Sequence, residues 1–320
     1  MNLFVAWIAT LVLAWVSMPA VALERFVLSM PGPHALSFLP VELIPRMGAD
    51  QEQGIALQIV YTESGATALR QLVMRNADFA VAGIPAVMSS RAAGNDVVIL
   101  APVDHAPVFV LMVRANLHDQ IKSIADLKGK IIAVNAGSAP VQSTSEQLLK
   151  QLLASNGVGL DAVHIVPTGQ NWRELSALIL SDTVDAIMGN EPFASRLQKA
   201  GLVFFLENET LHAPGLYITL ATRQEVMTKT PNKVATMVHM LQKSLAWIGS
   251  HTHVQLIDTL SVTDPEERDA LIQVLQQHPD LFSRDGRFST RQMHETEQLF
   301  PLYHPLLEGM INERWAGRSP

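Results

Sequence analysis

The chain has 320 residues and no cysteine, with 17% charged and 48% hydrophobic residues and a formal net charge of −7. Such a composition belongs to a compact protein with large apolar cores, and the missing cysteine excludes disulfides, thiol catalysis and thiolate metal sites. A mildly acidic balance without basic runs argues against nucleic acid or an anionic membrane as partner, while leaving room for a local anion site.

Residues 3–16 form an almost unbroken apolar run, and Pro19 leads into Ala20-Val21-Ala22. An apolar core ending in small-x-small is the form of a cleavable signal peptide, here residues 1–22 with cleavage after Ala22. The alternative is an uncleaved anchor, because the stretch approaches the roughly 20 residues that span a bilayer and carries no Lys or Arg in front. Export without a cysteine to lipidate points to a periplasm. The mature chain of about 298 residues is long enough for two domains.

From residue 23 to about 205, short apolar strands alternate with amphipathic helices. The first set predicts strands at 25–29, 55–60, 79–82 and 97–101, with helices at 35–46, at 65–76 and from Pro85 onwards. This alternation implies a mostly parallel sheet covered on both faces. The second set predicts strands at 108–113, 131–134, 163–166, 185–188 and 202–205. Helices are predicted at 123–127, at 139–156 with Gly157 as C-cap, at 171–180 and at 191–199. One more strand at 216–221 precedes a helical C-terminal part, with pieces at 231–250, 264–278, 289–300 and 305–314. Two sets joined by long extended segments suggest two α/β lobes with crossovers near 103–108 and 215–222. The boundaries read as residues 23–107 for the first part of lobe 1, 108–214 for lobe 2, and 215–320 for the completion of lobe 1 with the C-terminal helices. A ligand cleft would lie between the lobes, at the carboxyl ends of the strands.

Three segments carry a family likeness. Asn76-Ala77-Asp78-Phe79-Ala80-Val81-Ala82-Gly83 comes first, and Ser123-Ile124-Ala125-Asp126-Leu127-Lys128-Gly129-Lys130-Ile131-Ile132-Ala133-Val134 opens the second set. The third is Val184-Asp185-Ala186-Ile187-Met188-Gly189-Asn190-Glu191-Pro192-Phe193-Ala194. In this order and spacing they resemble the solute-binding proteins of the nitrate/sulfonate/taurine and thiamine-precursor (NMT1-like) group. The resemblance implies a type II periplasmic binding protein fold, two Rossmann-like lobes that close on a ligand, and an ABC permease in the inner membrane as partner. It does not name the ligand.

Candidate ligand contacts follow from strand-to-helix turns. Gly137 and Ser138 lie between a strand and the helix predicted at 139–156, whose free amides would attract an anion; Ser138 either adds a hydroxyl to the ligand or caps its helix. Gly83, Ile84 and Pro85 repeat the arrangement in the first lobe, as ligand-facing amides or as a tight turn. His34 follows the first strand, as ligand donor or loop residue, and His105 faces either cleft or hinge. Asn190 and Glu191 begin a helix after a strand, and a carboxylate there would pair with an amino or ring N–H group or serve as a first-turn acid. Trp172 either stacks on a flat ligand or packs between the lobes.

No Gly-x-Ser-x-Gly elbow, phosphate loop or His-Glu-x-x-His motif is present. His251 and His253 would diverge on a helix, which argues against a metal site. The reading is therefore a monomeric, cofactor-free and metal-free binding component of an ABC importer, taking a small organic anion or heterocycle. The alternatives are a sensory or scaffolding protein that signals to a membrane receptor, and an enzyme on the same fold.

Overall fold

The computed structural model describes residues 23–104, 108–135, 137, 139–169, 171–206, 215, 218–299 and 309–319. The leader predicted at residues 1–22, His105, Ser138 and most of the helix predicted at 305–314 lie outside the described residues.

Strand β1 (Glu24–Pro31) enters the core and is followed by a 3-10 turn at Leu36–Phe38 and helix α1 (Leu39–Arg46). Next come β2 (Ile55–Thr62), α2 (Gly65–Val73), β3 (Phe79–Gly83), α3 (Ile84–Ala92) and β4 (Val97–Pro102). The second set comprises β5 (Phe109–Arg114), β6 (Ile131–Asn135), α4 (Thr144–Ser155) and β7 (His164–Thr168). It continues with α5 (Trp172–Leu180), β8 (Ala186–Asn190), α6 (Phe193–Lys199) and β9 (Val203–Phe205). Strand β10 (Ile218–Arg223) returns to the first sheet and leads into α7 (Gln224–Lys229), α8 (Pro231–Ser250), α9 (His253–Thr259) and α10 (Pro265–Gln277). A small pair, β11 (Phe288–Ser289) with β12 (Arg318–Ser319), brackets α11 (Thr290–Leu299).

The two five-stranded sheets have the same plan, β2-β1-β3-β10-β4 and β7-β6-β8-β5-β9. The four strands of the first set, β1 to β4, run the same way, as the alternation implied, and the sheet is mixed because a strand from the later crossover enters it. In each sheet one crossover strand runs antiparallel to both neighbours, β10 between β3 and β4, and β5 between β8 and β9. The reason is directional. Strands β1, β3, β6 and β8 run towards the boundary between the sheets, whereas β5 and β10 begin there, coming from the other sheet, and must run away from it. Every residue of β3, β4 and β8 is buried, which explains their unbroken apolar and small-residue runs.

Near the boundary the first crossover is tied to the second. Val103 N–H and Asp104 N–H donate to the Ile218 carbonyl at 2.9 and 3.4 Å, and Ile218 N–H donates to Asp104 Oδ1 at 2.7 Å. Ser283 N–H adds a bond to the Val103 carbonyl from the C-terminal part. Helix α8 packs on α1, and one cluster of buried apolar side chains runs from Leu28 and Leu69 through Ile84 to Leu149 and Val134. Among the described residues no helix is long and apolar enough to cross a membrane.

Candidate functional site

A pocket lies where the two sheets meet. From the first lobe it is lined by Pro31, Ser37, Phe38, Ser64, Gly65 and Gly83, and from the second by Phe109, Asn135, Ser143, Thr144 and Asn190, with Ile218 between. Three helices begin here. Ser64 caps α2 by accepting from Thr67 N–H at 3.2 Å, Gly83 is the N-cap of α3, and Ser143 caps α4 by accepting from Glu146 N–H at 3.2 Å. The first amides of a helix lack intrahelical partners and carry the positive end of its dipole. Converging ends therefore favour an oxyanion, although no lining side chain among the described residues is charged. Asn135 and Asn190, at 5% and 4% exposure, add buried carboxamides that can both donate and accept. Phe38 and Phe109 supply apolar walls.

The lobes are drawn close together at this place. The cavity measures about 20 Å³, which is space for about one water molecule. A Cβ built on Gly83 would stand 2.1 Å from Thr144 Oγ1 and 3.0 Å from Thr144 Cβ, so the absence of a side chain allows the contact. Next to it Gln142 N–H donates to Ser89 Oγ at 2.9 Å, joining the loop before α4 to α3.

Two outer openings adjoin the boundary. One, of about 200 Å³, is lined by Trp172, Ser195, Arg196, Lys199, Glu266 and Gln273. The other, of about 290 Å³, is lined by Gly32, Tyr61, Glu63, Asn171 and Glu174.

A family model described as NMT1/THI5 like matches residues 51–253, more than half of the chain. The chain belongs to the NMT1/THI5-like family. No curated protein sequence matches it. Among solved structures, the alkanesulfonate-binding protein SsuA of Xanthomonas axonopodis pv. citri, bound to MOPS, superposes with a TM-score of 0.72 at 19% identity, covering 92% of this chain and 99% of that one. The periplasmic nitrate-binding protein NrtA of Synechocystis PCC 6803 gives 0.62 at 14% identity over 76% and 66%. The desulfurization enzyme DSZB gives 0.57 at 16% over 92% and 97%. These likenesses establish the type II periplasmic binding protein fold, and one fold carrying binders and an enzyme does not decide between them.

In this NMT1/THI5-like chain the predicted contacts scatter. Gly83 and Asn190 line the pocket. Ile84 and Pro85 are buried in the first turn of α3, outside the pocket lining. Gly137 is exposed in a loop that precedes the helix by several residues, because α4 begins at Thr144 rather than at the predicted Ala139. The start was legible: Ser143-x-x-Glu146 has the spacing of an N-cap signature. That shift brings Ser143 and Thr144 to the pocket, neither of which was singled out from the sequence, and the same holds for Ser37, Ser64 and Asn135.

Glu191 is buried, but its carboxylate turns onto its own helix. Oε2 accepts from Ser195 N–H at 2.9 Å and Oε1 from the Ser195 hydroxyl at 2.8 Å. Burial pushes its pKa up, against the pull of these two bonds. His34 has φ 58°; its N–H donates to Glu42 Oε1 at 2.8 Å and its Nδ1 lies 3.1 Å from Glu267 on α10. Its pKa is raised, chiefly by the hydrogen bond to Glu267. Glu42 itself is raised to about 7 by burial. Trp172 lies under the Arg196 guanidinium, 4.5 Å from its ring centre, in the outer opening beside α10. Among the described residues no group of three His, Asp or Glu side chains is placed to hold a metal ion.

Proposed function

We propose that the chain is the periplasmic solute-binding component of an ABC importer, closing its lobes on a small organic anion or heterocycle of the sulfonate, taurine or pyrimidine type. It hands the ligand unchanged to an inner-membrane permease. The observation that carries the reading is the meeting of three helix N-termini, at Ser64-Gly65, Gly83 and Ser143-Thr144, around one pocket shared by both lobes. Backbone amides and neutral hydroxyls bind an oxyanion without neutralising it, which suits capture followed by release. Phe38 and Phe109 favour an organic substituent over a bare inorganic ion. Two of its hydroxyls serve as helix caps, Ser64 accepting from Thr67 N–H and Ser143 from Glu146 N–H, which is a positioning arrangement and not that of a nucleophile on a base. The alkanesulfonate-binding and nitrate-binding proteins of the same fold agree with a ligand of this class, and the leader at residues 1–22 agrees with the periplasm.

The test is a thermal-shift screen of the protein lacking residues 1–22 against nitrate, alkanesulfonates, taurine, pyrimidines and aromatic acids. A ligand at about 100 times its Kd adds about 2.7 kcal/mol to stability, a clear rise in Tm. Recovery of that ligand unchanged after incubation supports transport over turnover. No shift with any compound refutes the reading.

A further inference from the structure

The outer opening beside α10 carries the charge that the central pocket lacks. Its volume is about 200 Å³, and none of the described residues lining it lines the central pocket. One wall comes from the second lobe, with Trp172 at the start of α5 and Arg196 and Lys199 on α6. The other wall is α10, through Glu266, Ala270 and Gln273. Helix α10 packs on the first lobe, because its Leu271, Val274 and Leu275 are buried with Leu36, Leu39 and Leu43. An occupant of the opening therefore touches both lobes, and small-molecule sites favour such boundaries.

The two basic side chains set the chemistry. Arg196 and Lys199 stand three residues apart, on one face of α6. The Arg196 side chain is 13% exposed, and its guanidinium lies 4.5 Å from the Trp172 ring centre. Its one side-chain hydrogen bond among the described residues runs from Nη2 to Glu266 Oε2, at 3.4 Å. A guanidinium has five N–H donors, so most of this fork is unused although most of the side chain is out of water. Lys199 is exposed and has no hydrogen-bond or ion-pair partner among the described residues.

Glu266 shows which group the fork accepts. Its carboxylate makes a single long contact from a side chain that is 82% exposed, so little holds it in place. A ligand carboxylate set squarely on the fork would make two parallel bonds instead of one. The Ser195 hydroxyl gives its proton to Glu191 and leaves the cations as the donors. Beside them, Trp172, Ala200 and Ala270 supply an apolar surface, and the two short alanines leave room for a flat body. We propose that this opening is a second ligand site, which takes an aromatic carboxylate. The carboxylate sits on Arg196 and Lys199 in place of Glu266, and the ring lies against Trp172, Ala200 and Ala270. The site is separate from the central pocket, and its occupation does not depend on the importer reading.

The protein lacking residues 1–22 retains Trp172, Trp247 and Trp315. Trp172 therefore reports on the site through its own indole N–H signal in NMR, assigned by its loss in Trp172→Phe. Benzoate is the probe, and benzamide, its uncharged counterpart, is the control, both titrated at constant ionic strength. Benzoate is expected to move the Trp172 signal with a Kd on the order of 1 mM, and benzamide to bind about tenfold more weakly or worse. Arg196→Gln is expected to weaken benzoate by about tenfold or more. Lys199→Gln, at an exposed position that spares the fold, is expected to weaken it by about threefold. Glu266→Gln removes the competing carboxylate and should tighten it by about two- to fivefold. The proposal is overturned if benzoate leaves the Trp172 signal unmoved in both the wild type and Glu266→Gln. Equal binding of benzamide, or unchanged benzoate affinity in both Arg196→Gln and Lys199→Gln, overturns it as well.

Discussion

Gly83→Ala isolates lobe closure from folding. The residue has φ −68° and ψ 144°, an extended conformation open to alanine, so the change carries no backbone strain within the first lobe. Across the boundary the new methyl carbon would stand 2.1 Å from Thr144 Oγ1, 2.9 Å from Cγ2 and 3.0 Å from Cβ. Rotating Thr144 exchanges its two branches but leaves Cβ in place, so α3 and α4 must separate by an amount on the order of 1 Å. Overpacking of this kind costs about 1–3 kcal/mol, and here it falls on the closed state. Affinity is expected to fall by roughly 5- to 150-fold, while Tm without ligand falls by only a few degrees or less. Calorimetric titration with the best ligand from the screen measures the first, and X-ray scattering of the liganded protein should show a more open shape. Adding Thr144→Ala removes Oγ1 and Cγ2 and should make the double variant bind more tightly than Gly83→Ala alone. Wild-type affinity in Gly83→Ala, or no relief in the double variant, would refute the contact as a closure point.

Three further outcomes are expected. Glu42 is held at about 7 against an ordinary 4.5 by burial, so folding takes up a proton between those values. Its contribution is complete below about 4.5 and is lost as pH rises through about 7. Glu42→Gln keeps an acceptor for His34 N–H and should flatten the Tm profile across that window; an unchanged slope would contradict the assignment. Ser143→Ala removes the cap of α4 and should cost about 1 kcal/mol by denaturant titration, with weaker ligand binding, whereas Ser155→Ala at the far end should leave binding intact. Trp172→Ala should cost about 1–3 kcal/mol through lost packing in the second lobe. Glu266→Gln should stay within about 0.5 kcal/mol, since the Glu266 side chain is 82% exposed in its pair with Arg196. A large effect of Glu266→Gln would show that the pair clamps the lobes.

Local pattern was enough for the alternating elements. The all-apolar run of β3, the start of α8 at Pro231 and its end at Ser250, and the three family-like segments could be read without a fold. Each depends on neighbours in sequence, through side-chain periodicity, proline at a first turn, or backbone groups paired within one element. The family, and with it the two-lobed architecture, followed from those segments.

Contacts between distant residues were a different matter. Glu191 has the residue type of a ligand partner, yet Ser195, one helical turn on, takes both carboxylate oxygens. Trp172 starts a helix at the expected strand-to-helix turn, but its ring lies under Arg196 outside the pocket. The crossover strands β5 and β10 carry the same apolar character as parallel strands, and only their entry from the opposite lobe sets their direction. The meeting of Gly83 with Thr144 depends on how two sheets face each other, and that of Asp104 with Ile218 on how the two crossovers lie side by side. Sequence determined which elements form and to which family they belong. Tertiary structure decided which helix ends share a pocket, because periodicity encodes the buried face of an element but not the partner it meets across a boundary.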